Sequence, residues 1–265
     1  MRFRAITPSF LRRVGARRPR RRQRVSPFDI PDILPERSGM AQTIKICGLS
    51  TAGPLEAALK GGADMVGFVF FPPSPRHVDF STARELSARA RMRAEIVALS
   101  VDADNALLEQ IVEATAPDYL QLHGSETPAR VEEIQRVFGV SAIKAIGVAG
   151  RVDFGRAEIY RNSADALLID AKPPQGAVLP GGNGVPFDWR LAADFHPRKP
   201  WLLSGGLDPY NVGQAIALSG ARGVDVSSGV ESAPGVKDPH RIKAFINAAL
   251  EAFERQDPDF VRSVK

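Results

Sequence analysis

The stretch TIKICGLSTAGPLEAALKGGADMVGFVF, residues 43–70, decides the fold because it contains one strand–helix–strand unit. Two runs rich in β-branched and apolar residues, 43–46 and 65–70, flank a segment at 52–60 whose pattern predicts a helix. Short strands that alternate with helices are typical of βα units, which build a parallel sheet. This stretch therefore predicts an α/β protein.

The same alternation continues along the chain. The predicted strands lie at 43–46, 65–70, 95–100, 119–122, 141–146, 166–170, 201–204 and 223–226. The predicted helices lie at 52–60, 81–92, 104–114, 127–138, 151–160, 187–193, 209–218 and 238–253. Residues 171–186, AKPPQGAVLPGGNGVP, are rich in glycine and proline and predict a loop. Eight strands that alternate with eight helices predict a single-domain (β/α)8 TIM barrel, whose strands close on themselves.

An open, doubly wound parallel sheet is the alternative for this pattern. Such a sheet binds dinucleotides through a G-x-G-x-x-G motif after its first strand, where the backbone must approach a pyrophosphate closely. No such motif follows residues 43–46. The barrel is therefore the preferred prediction.

The formal net charge of +5 comes from one end of the chain. Residues 1–39 contain eleven arginines and three acidic residues, a net charge of +8, which leaves 24 basic and 27 acidic residues, a net charge of −3, for residues 40–265. An Arg-rich head can be a nucleic-acid-binding arm, a transit peptide, or upstream sequence ahead of a start at Met40. We expect the third, with the barrel domain at 40–255 and a C-terminal tail at 256–265.

Cysteine usage and hydropathy predict the surroundings of the protein. The single cysteine, Cys47, cannot form an internal disulfide, which favours a reducing compartment. No apolar run reaches the roughly 20 residues that a membrane-spanning helix needs. We therefore expect a soluble, cytoplasmic protein with neither a membrane nor a nucleic acid as partner.

Polar residues follow four of the predicted strands. Cys47 follows the first strand, Arg76 the second, His123 the fourth and Asp170 the sixth. In a (β/α)8 barrel the loops that follow the strands build the active site, because they all lie at the same end of the barrel. The sequence therefore predicts that these four side chains face one site.

Two further loops, LLSGGLDP at 202–209 and VDVSSGVE at 224–231, place small residues between a strand and a helix. Backbone N–H groups in such loops can surround an anion, and the loops after strands 7 and 8 are the usual phosphate site of this fold. The predicted residues of this site are Gly205, Gly206, Asp225, Ser227, Ser228 and Gly229. Glycines that serve only tight turns are the alternative, but two adjacent loops favour a small phosphorylated substrate.

Cys47 and Asp170 each have a structural and a chemical explanation. A lone cysteine at a strand end is commonly a small buried hydrophobe, and an aspartate before a glycine-rich loop can cap a turn. An acid and a potential base that face one phosphate site instead suit a reaction that adds one proton and removes another. Metal catalysis is not favoured, because His77 and His123 have no clustered Asp or Glu partners at ligand spacing.

Six motifs, in order, give the chain a family resemblance. They are KICGL (45–49), GFVFFPPSPRHV (67–78), LQLHG (120–124), LLIDAKPP (167–174) with LPGGNGVPFDW (179–189), LLSGGL (202–207) and VDVSSGVE (224–231). From residue 43 to about residue 250, the sequence closely resembles the phosphoribosylanthranilate isomerases of tryptophan biosynthesis. One departure is Asn183, at a position where the family often has Thr or Ser.

The resemblance implies an Amadori rearrangement of N-(5-phosphoribosyl)anthranilate to 1-(2-carboxyphenylamino)-1-deoxyribulose 5-phosphate, without a metal or an organic cofactor. It implies that Asp170 is the general acid that protonates the furanose ring oxygen, and that Cys47 is the general base that removes the C2′ proton. It also implies that Arg76 lies near the anthranilate carboxylate and that His123 supports the site. We expect a monomer or a homodimer.

Other phosphosugar barrels are the nearest alternatives. Indole-glycerol-phosphate synthases would require a catalytic lysine with a glutamate on another strand, aminoimidazole carboxamide ribotide isomerases have an aspartate in place of Cys47, and ribulose-phosphate epimerases need a metal set of His and Asp. A non-catalytic barrel that binds a phosphorylated ligand, or nucleic acid through residues 1–39, is the alternative from a different class. The sequence leaves open whether the chain also accepts the histidine-pathway aminoaldose.

The sequence also leaves open what stabilises the Cys47 thiolate. An ordinary thiol has a pKa of about 8.5 and is a weak base at neutral pH. Helix dipoles on the phosphate side of the site and the guanidinium of Arg76 are the candidates that the sequence offers.

Overall fold

The computed structural model describes residues 42–173, 176, 179, 181–182, 184 and 186–257. The Arg-rich head, Met40, Asn183 and residues 258–265 of the predicted tail lie outside the described residues.

Eight parallel strands close into a barrel in chain order, with β8 paired to β1. The barrel strands are β1 Thr43–Cys47, β2 Met65–Phe70, β3 Glu95–Ser100, β4 Tyr119–Leu122, β5 Ser141–Val148, β6 Ala166–Ala171, β7 Trp201–Leu203 and β8 Gly223–Val226. The α-helices are α1 Ala52–Gly61, α2 Phe80–Ala90, α3 Asn105–Thr115, α4 Pro128–Phe138, α5 Arg151–Glu158, α6 Val212–Ser219 and α7 Pro239–Gln256. The closed barrel confirms the predicted (β/α)8 fold and excludes the open sheet. Among the described helices, none has both the length and the apolar character that a membrane span requires.

The sixth βα unit differs from the prediction. The helix predicted at 187–193 is wrong, because the structure has only a short 3₁₀ helix there, Trp189–Ala192. The Asp188 side chain accepts a hydrogen bond from the backbone N–H of Arg190, as in a tight turn. Pro197 follows soon after and restricts the residue before it to extended conformations, so little chain remains for a full helix.

An unpredicted hairpin follows β8. Its strands, β9 Glu231–Ala233 and β10 Val236–Lys237, pair in an antiparallel arrangement. Gly235 completes the turn with a φ of 80°, and the preceding proline makes a Pro-Gly turn signal that is visible in the sequence. A Cβ on Gly235 would clash with the carbonyl oxygen of Pro75, so the hairpin packs directly against the loop after β2.

Successive residues of each strand point alternately into the barrel and towards the helices. An apolar layer fills the interior and consists of Met65, Val97, Tyr119, Ile143, Ala145, Ala166, Leu168 and Leu202. Ile44 and Ile46 of β1 belong instead to the large cluster between the strands and the helices. Lys45 and Cys47 therefore face the interior of the barrel.

Candidate active site

A cavity lies at the end of the barrel that is formed by the loops after the strands. Nine of the ten predicted site residues line it: Cys47, Arg76, His123, Asp170, Gly205, Gly206, Asp225, Ser227 and Ser228. The tenth, Gly229, is not among the lining residues and packs against Leu207, whose carbonyl oxygen would clash with a Cβ at that position. The fold thus brings the predicted acid, the predicted base and both predicted phosphate loops to one place.

Cys47 is a buried thiol at the end of β1, with 3% of its surface exposed. Gly67 on the neighbouring strand leaves room for it, since a Cβ there would lie 2.8 Å from the sulfur. Burial raises the pKa of Cys47 above its ordinary value; the Lys45 ammonium opposes this rise, Asp225 adds to it, and Lys237 opposes it. The charge that most favours the thiolate form of Cys47 is therefore the ammonium of Lys45.

A buried ion pair that the sequence analysis did not anticipate lies beside this thiol. Lys45 is fully buried, and its Nζ lies 2.7 Å from Asp225 Oδ1. Cys47 follows two residues later on the same inward face of β1, and the charge of the ammonium favours the thiolate by opposing the rise in its pKa. Ser204 Oγ donates to the other oxygen of Asp225 at 3.2 Å. Both oxygens of Asp225 are therefore engaged inside the barrel, and its predicted contact with a substrate stays a prediction.

Asp170 is oriented by a short chain of polar groups. Its Oδ1 accepts a hydrogen bond from the Ala171 backbone N–H at 2.8 Å, and its Oδ2 lies 3.3 Å from His123 Nε2. The other ring nitrogen of His123 lies 3.0 Å from Gln121 Nε2. If the Gln121 amide donates to Nδ1, a neutral ring carries its proton on Nε2, where it can donate to Asp170. His123 thus lies directly against the predicted acid.

The glycine-rich loop after β6 covers this pair. A Cβ on Gly181 would lie 2.6 Å from His123 Nε2 and 2.7 Å from Asp170 Oδ2. A Cβ on Gly182, whose φ is 70°, would lie 2.7 Å from Nη1 of Arg76. Only glycine permits such a close approach, so Gly181 and Gly182 form part of the wall of the cavity.

Arg76 is fixed at the cavity by the hairpin. Its Nε and Nη2 donate to the two oxygens of Glu231 at 2.7 and 3.0 Å. Lys237 donates to the same carboxylate at 2.7 Å and to the Ser227 carbonyl oxygen at 2.8 Å. Burial alone would raise the pKa of Glu231, but the contacts with Arg76 and Lys237 hold it below its usual range. Nη1 of Arg76 makes no hydrogen bond to any described residue and lies beside Gly182.

The two predicted phosphate loops lie on adjacent strands, since Leu203 of β7 pairs with Val224 of β8. Gly205 and Gly206 have φ values of 88° and 65°, in the left-handed region. A Cβ on Gly205 would lie 2.6 Å from the Ala171 backbone nitrogen. Glycine is therefore required here by conformation and by space, and residues of both loops line the same cavity.

Fold and site together define the class of this protein: a (β/α)8 barrel whose cavity combines a carboxyl group, a thiol and a guanidinium with two small-residue loops suited to a phosphate. In the part of the chain that the structure describes, no group of three or more His, Cys, Asp or Glu side chains is placed to hold a metal ion. The family model for N-(5'phosphoribosyl)anthranilate (PRA) isomerase matches residues 44–248, and the chain belongs to that family.

Relatives and solved structures agree with this assignment. The chain is 58% identical over 213 residues to N-(5'-phosphoribosyl)anthranilate isomerase of Nitrobacter hamburgensis, covering 80% of this chain and 95% of the relative. It is 54% identical over 215 residues to the same enzyme of Rhodopseudomonas palustris strain BisB5, covering 81% and 99%. The phosphoribosyl anthranilate isomerase structure from Thermotoga maritima shares 35% identity and a TM-score of 0.69, covering 79% and 98%.

A further solved phosphoribosyl anthranilate isomerase was crystallised with reduced 1-(o-carboxyphenylamino)-1-deoxyribulose 5-phosphate. It shares 33% identity with this chain and a TM-score of 0.69, and the match covers 79% of this chain and 98% of that one.

Proposed function

We propose that this chain isomerises N-(5'-phosphoribosyl)anthranilate to 1-(2-carboxyphenylamino)-1-deoxyribulose 5-phosphate, a step of tryptophan biosynthesis, with Asp170 as general acid and Cys47 as general base. Family membership supports the reaction, and the relative crystallised with a reduced form of that compound supports the substrate class. The observation that carries the assignment of roles is that Cys47 and Asp170, from β1 and β6, line the cavity that both phosphate loops also line.

Substrate binding uses the two ends of the cavity. The loops after β7 and β8, with Gly205, Gly206, Ser227 and Ser228, receive the phosphate through backbone N–H groups. Arg76 receives the anthranilate carboxylate. Because Glu231 already occupies Nε and Nη2 of Arg76, the substrate meets the Nη1 edge of the guanidinium.

The reaction moves protons without net gain or loss. Protonated Asp170 donates to the furanose ring oxygen as the bond from that oxygen to C1′ breaks, and the anilino nitrogen supplies the electron pair that forms the C1′=N bond of a Schiff base. The Cys47 thiolate then removes the C2′ proton, which gives an enolamine. Protonation of C1′ and loss of the C2′ hydroxyl proton complete the ketone. His123, in contact with Asp170, positions the acid.

The test follows the loss of anthranilate-type fluorescence when freshly made phosphoribosylanthranilate is supplied to the full chain. We expect Cys47→Ser to lower kcat by orders of magnitude, because a hydroxyl is a far weaker base than a thiol. Asp170→Asn keeps the shape of the side chain but removes the acid, so its loss should fall on kcat more than on KM. Near-normal kcat in either variant would refute that residue's role.

A matched control is Asp194→Asn. Asp194 makes an exposed ion pair with Arg151, whose side chains are 73% and 66% exposed, so the same chemical change should leave kcat and KM unchanged.

The remaining predictions are part of this proposal. We propose a catalytic domain at 40–255, a cytoplasmic location, no nucleic-acid partner, and a monomer or a homodimer. Deletion of residues 1–39 separates the enzyme from the nucleic-acid-binding alternative: an isomerase keeps its kcat, whereas a binder loses its affinity for nucleic acid.

A further inference from the structure

Lys45 is a buried lysine that the proposed reaction does not use. It lies two residues before Cys47 on β1, so both side chains face the barrel interior. Register pairs Lys45 with Asp225 of β8, and no part of Lys45 is exposed. An ammonium group therefore lies inside the barrel, on the same inward face of β1 as a thiol.

Stability alone does not explain this placement. Removing an ammonium and a carboxylate from water costs several kcal/mol for each ion, and apolar residues of similar volume are often at least as stabilising. The apolar interior layer, which includes Met65 beside Lys45 in the register of β1 and β2, shows how the same space is filled elsewhere. The cost of burying this charge therefore indicates a chemical role for the ammonium of Lys45.

The position of Lys45 brings its charge close to the sulfur. One of the three N–H donors of the ammonium goes to Asp225 at 2.7 Å, and Cys47 lies two residues further along β1 on the same inward face. Ser204 holds the second oxygen of Asp225 at 3.2 Å, which fixes the carboxylate that in turn fixes the ammonium. Lys237, the other lysine whose charge reaches Cys47, donates instead to Ser227 and to Glu231.

We propose that Lys45 is a positioning residue that acts through Cys47: the charge of its ammonium stabilises the thiolate, while Asp225 and Ser204 hold the ammonium in place. This inference rests on the proposed role of Cys47 as the base. It supplies the stabilising group that the sequence left open, and it assigns Asp225 to the support of the base.

In the proposed reaction Lys45 stays protonated throughout, while Cys47 accepts the C2′ proton. Burial alone would lower the pKa of Lys45, but the neighbouring Asp225 and Cys47 raise it above its ordinary value. The C2′ proton therefore moves to the sulfur, and the lysine remains a fixed positive charge throughout the cycle. Without that charge, burial and Asp225 would both raise the pKa of the thiol, and Lys237 would be the remaining opposing charge named for it.

The experiment titrates the thiol directly. Cys47 is the only cysteine in the 265-residue chain, so the ultraviolet absorbance of the thiolate, taken as the difference from Cys47→Ala to remove the tyrosine signal, reports on this residue. We would compare the full-length protein with Lys45→Met and with the double variant Lys45→Met/Asp225→Asn, which avoids an unpaired buried carboxylate. Because a nearby opposite charge shifts a pKa by about 1 to 3 units, Lys45→Met should move the midpoint upwards by about that much. The double variant should move it upwards by less, because it also removes the carboxylate of Asp225, which raises the pKa of Cys47.

A matched control is Lys144→Met. Lys144 is also a buried lysine, 2% exposed and 2.9 Å from Glu126, but it lies on β5 and has no contact with Cys47 among those described. Its loss should leave the midpoint of the thiol titration unchanged.

The pH dependence of kcat gives a second test of the role of Lys45. In the Lys45 variants, the limb of the kcat profile that rises with pH should move in parallel with the thiol midpoint, with KM little changed. An unshifted midpoint in a folded Lys45 variant, or a loss of kcat that is equal at every pH, would overturn the inference. Normal turnover in Cys47→Ser would instead overturn the proposed base, whatever the titration shows.

Discussion

Two buried lysines, each paired with a carboxylate, lie in different parts of this barrel. Lys45 of β1 points into the interior, where it contacts Asp225 and shares the inward face of the strand with Cys47. Lys144 of β5 lies between two residues of the interior layer and so points towards the helices, where it contacts Glu126 at 2.9 Å. The residue types and the burial are alike, but one ammonium lies on the same face of its strand as a reactive sulfur and the other does not.

The difference lies in how the three donors of each ammonium are used. Lys144 donates to the carbonyl oxygens of Leu122 and Gly124, at 3.0 and 2.7 Å, and to Glu126. All three acceptors belong to β4 or the loop after it, which also carries His123, so Lys144 holds a loop in shape. Lys45 makes one hydrogen bond to a described residue, Asp225, and lies on the same inward face of β1 as Cys47. A buried lysine whose donors are all satisfied supports structure, whereas one whose charge lies near a titrating atom can support chemistry.

The largest expected effect on the free energy of unfolding comes from breaking the ion pair between Lys144 and Glu126. Lys144→Met leaves the Glu126 carboxylate buried without its cation, so we expect the free energy of unfolding to fall by about 3–5 kcal/mol. Chemical denaturation measures this loss, and Lys144→Met/Glu126→Gln should recover part of it. A change below about 1 kcal/mol would mean that the two lysines do not differ as described.

A smaller effect is expected from the glycine that makes room for the thiol. Gly67→Ala places a methyl group 2.8 Å from the Cys47 sulfur, which should cost about 1–3 kcal/mol in stability and displace the sulfur from Lys45. We expect kcat to fall by about tenfold or more, since each 1.4 kcal/mol lost from the transition state is tenfold in rate.

Gly213→Ala on α6 is the matched change for this test. Its Cβ would meet no atom closer than Nη2 of Arg255 at 3.5 Å, which is an ordinary contact. Stability should change by less than about 1 kcal/mol, and kcat should not change. Equal losses in the two glycine variants would refute the claim that Gly67 serves the thiol.

The smallest effect concerns pH. Folding raises the pKa of Cys47, so above the pKa of the unfolded thiol the unfolded chain loses this proton while the folded protein keeps it. Stability from this group is complete below the unfolded pKa and falls as the pH rises towards the folded one, by about 1.4 kcal/mol per pH unit. Denaturation from neutral to alkaline pH should show this decline in the intact protein and not in Cys47→Ala. A parallel pH dependence in both proteins would contradict it.

Much of the fold could be predicted because its signals are local. The bounds of the eight strands agree with the prediction to within two residues, since each strand is a short apolar run between turn signals. The helix predicted at 187–193 is wrong because composition does not distinguish a full α-helix from a short 3₁₀ helix that precedes a proline. The hairpin after β8 has a visible Pro-Gly signal, but its strands are too short to stand out by periodicity.

In the site, as in the fold, local sequence determines some features and the tertiary structure determines the others. The sequence by itself determined which residues follow the strands, and hence that Cys47, Asp170 and the two small-residue loops share one end of the barrel. Only the tertiary structure decided their partners: Lys45 meets Asp225 from 180 residues away, and Arg76 meets Glu231 from 155 residues away. Those contacts depend on the closure of β8 onto β1 and on the position of the hairpin, and neither is encoded in a local pattern.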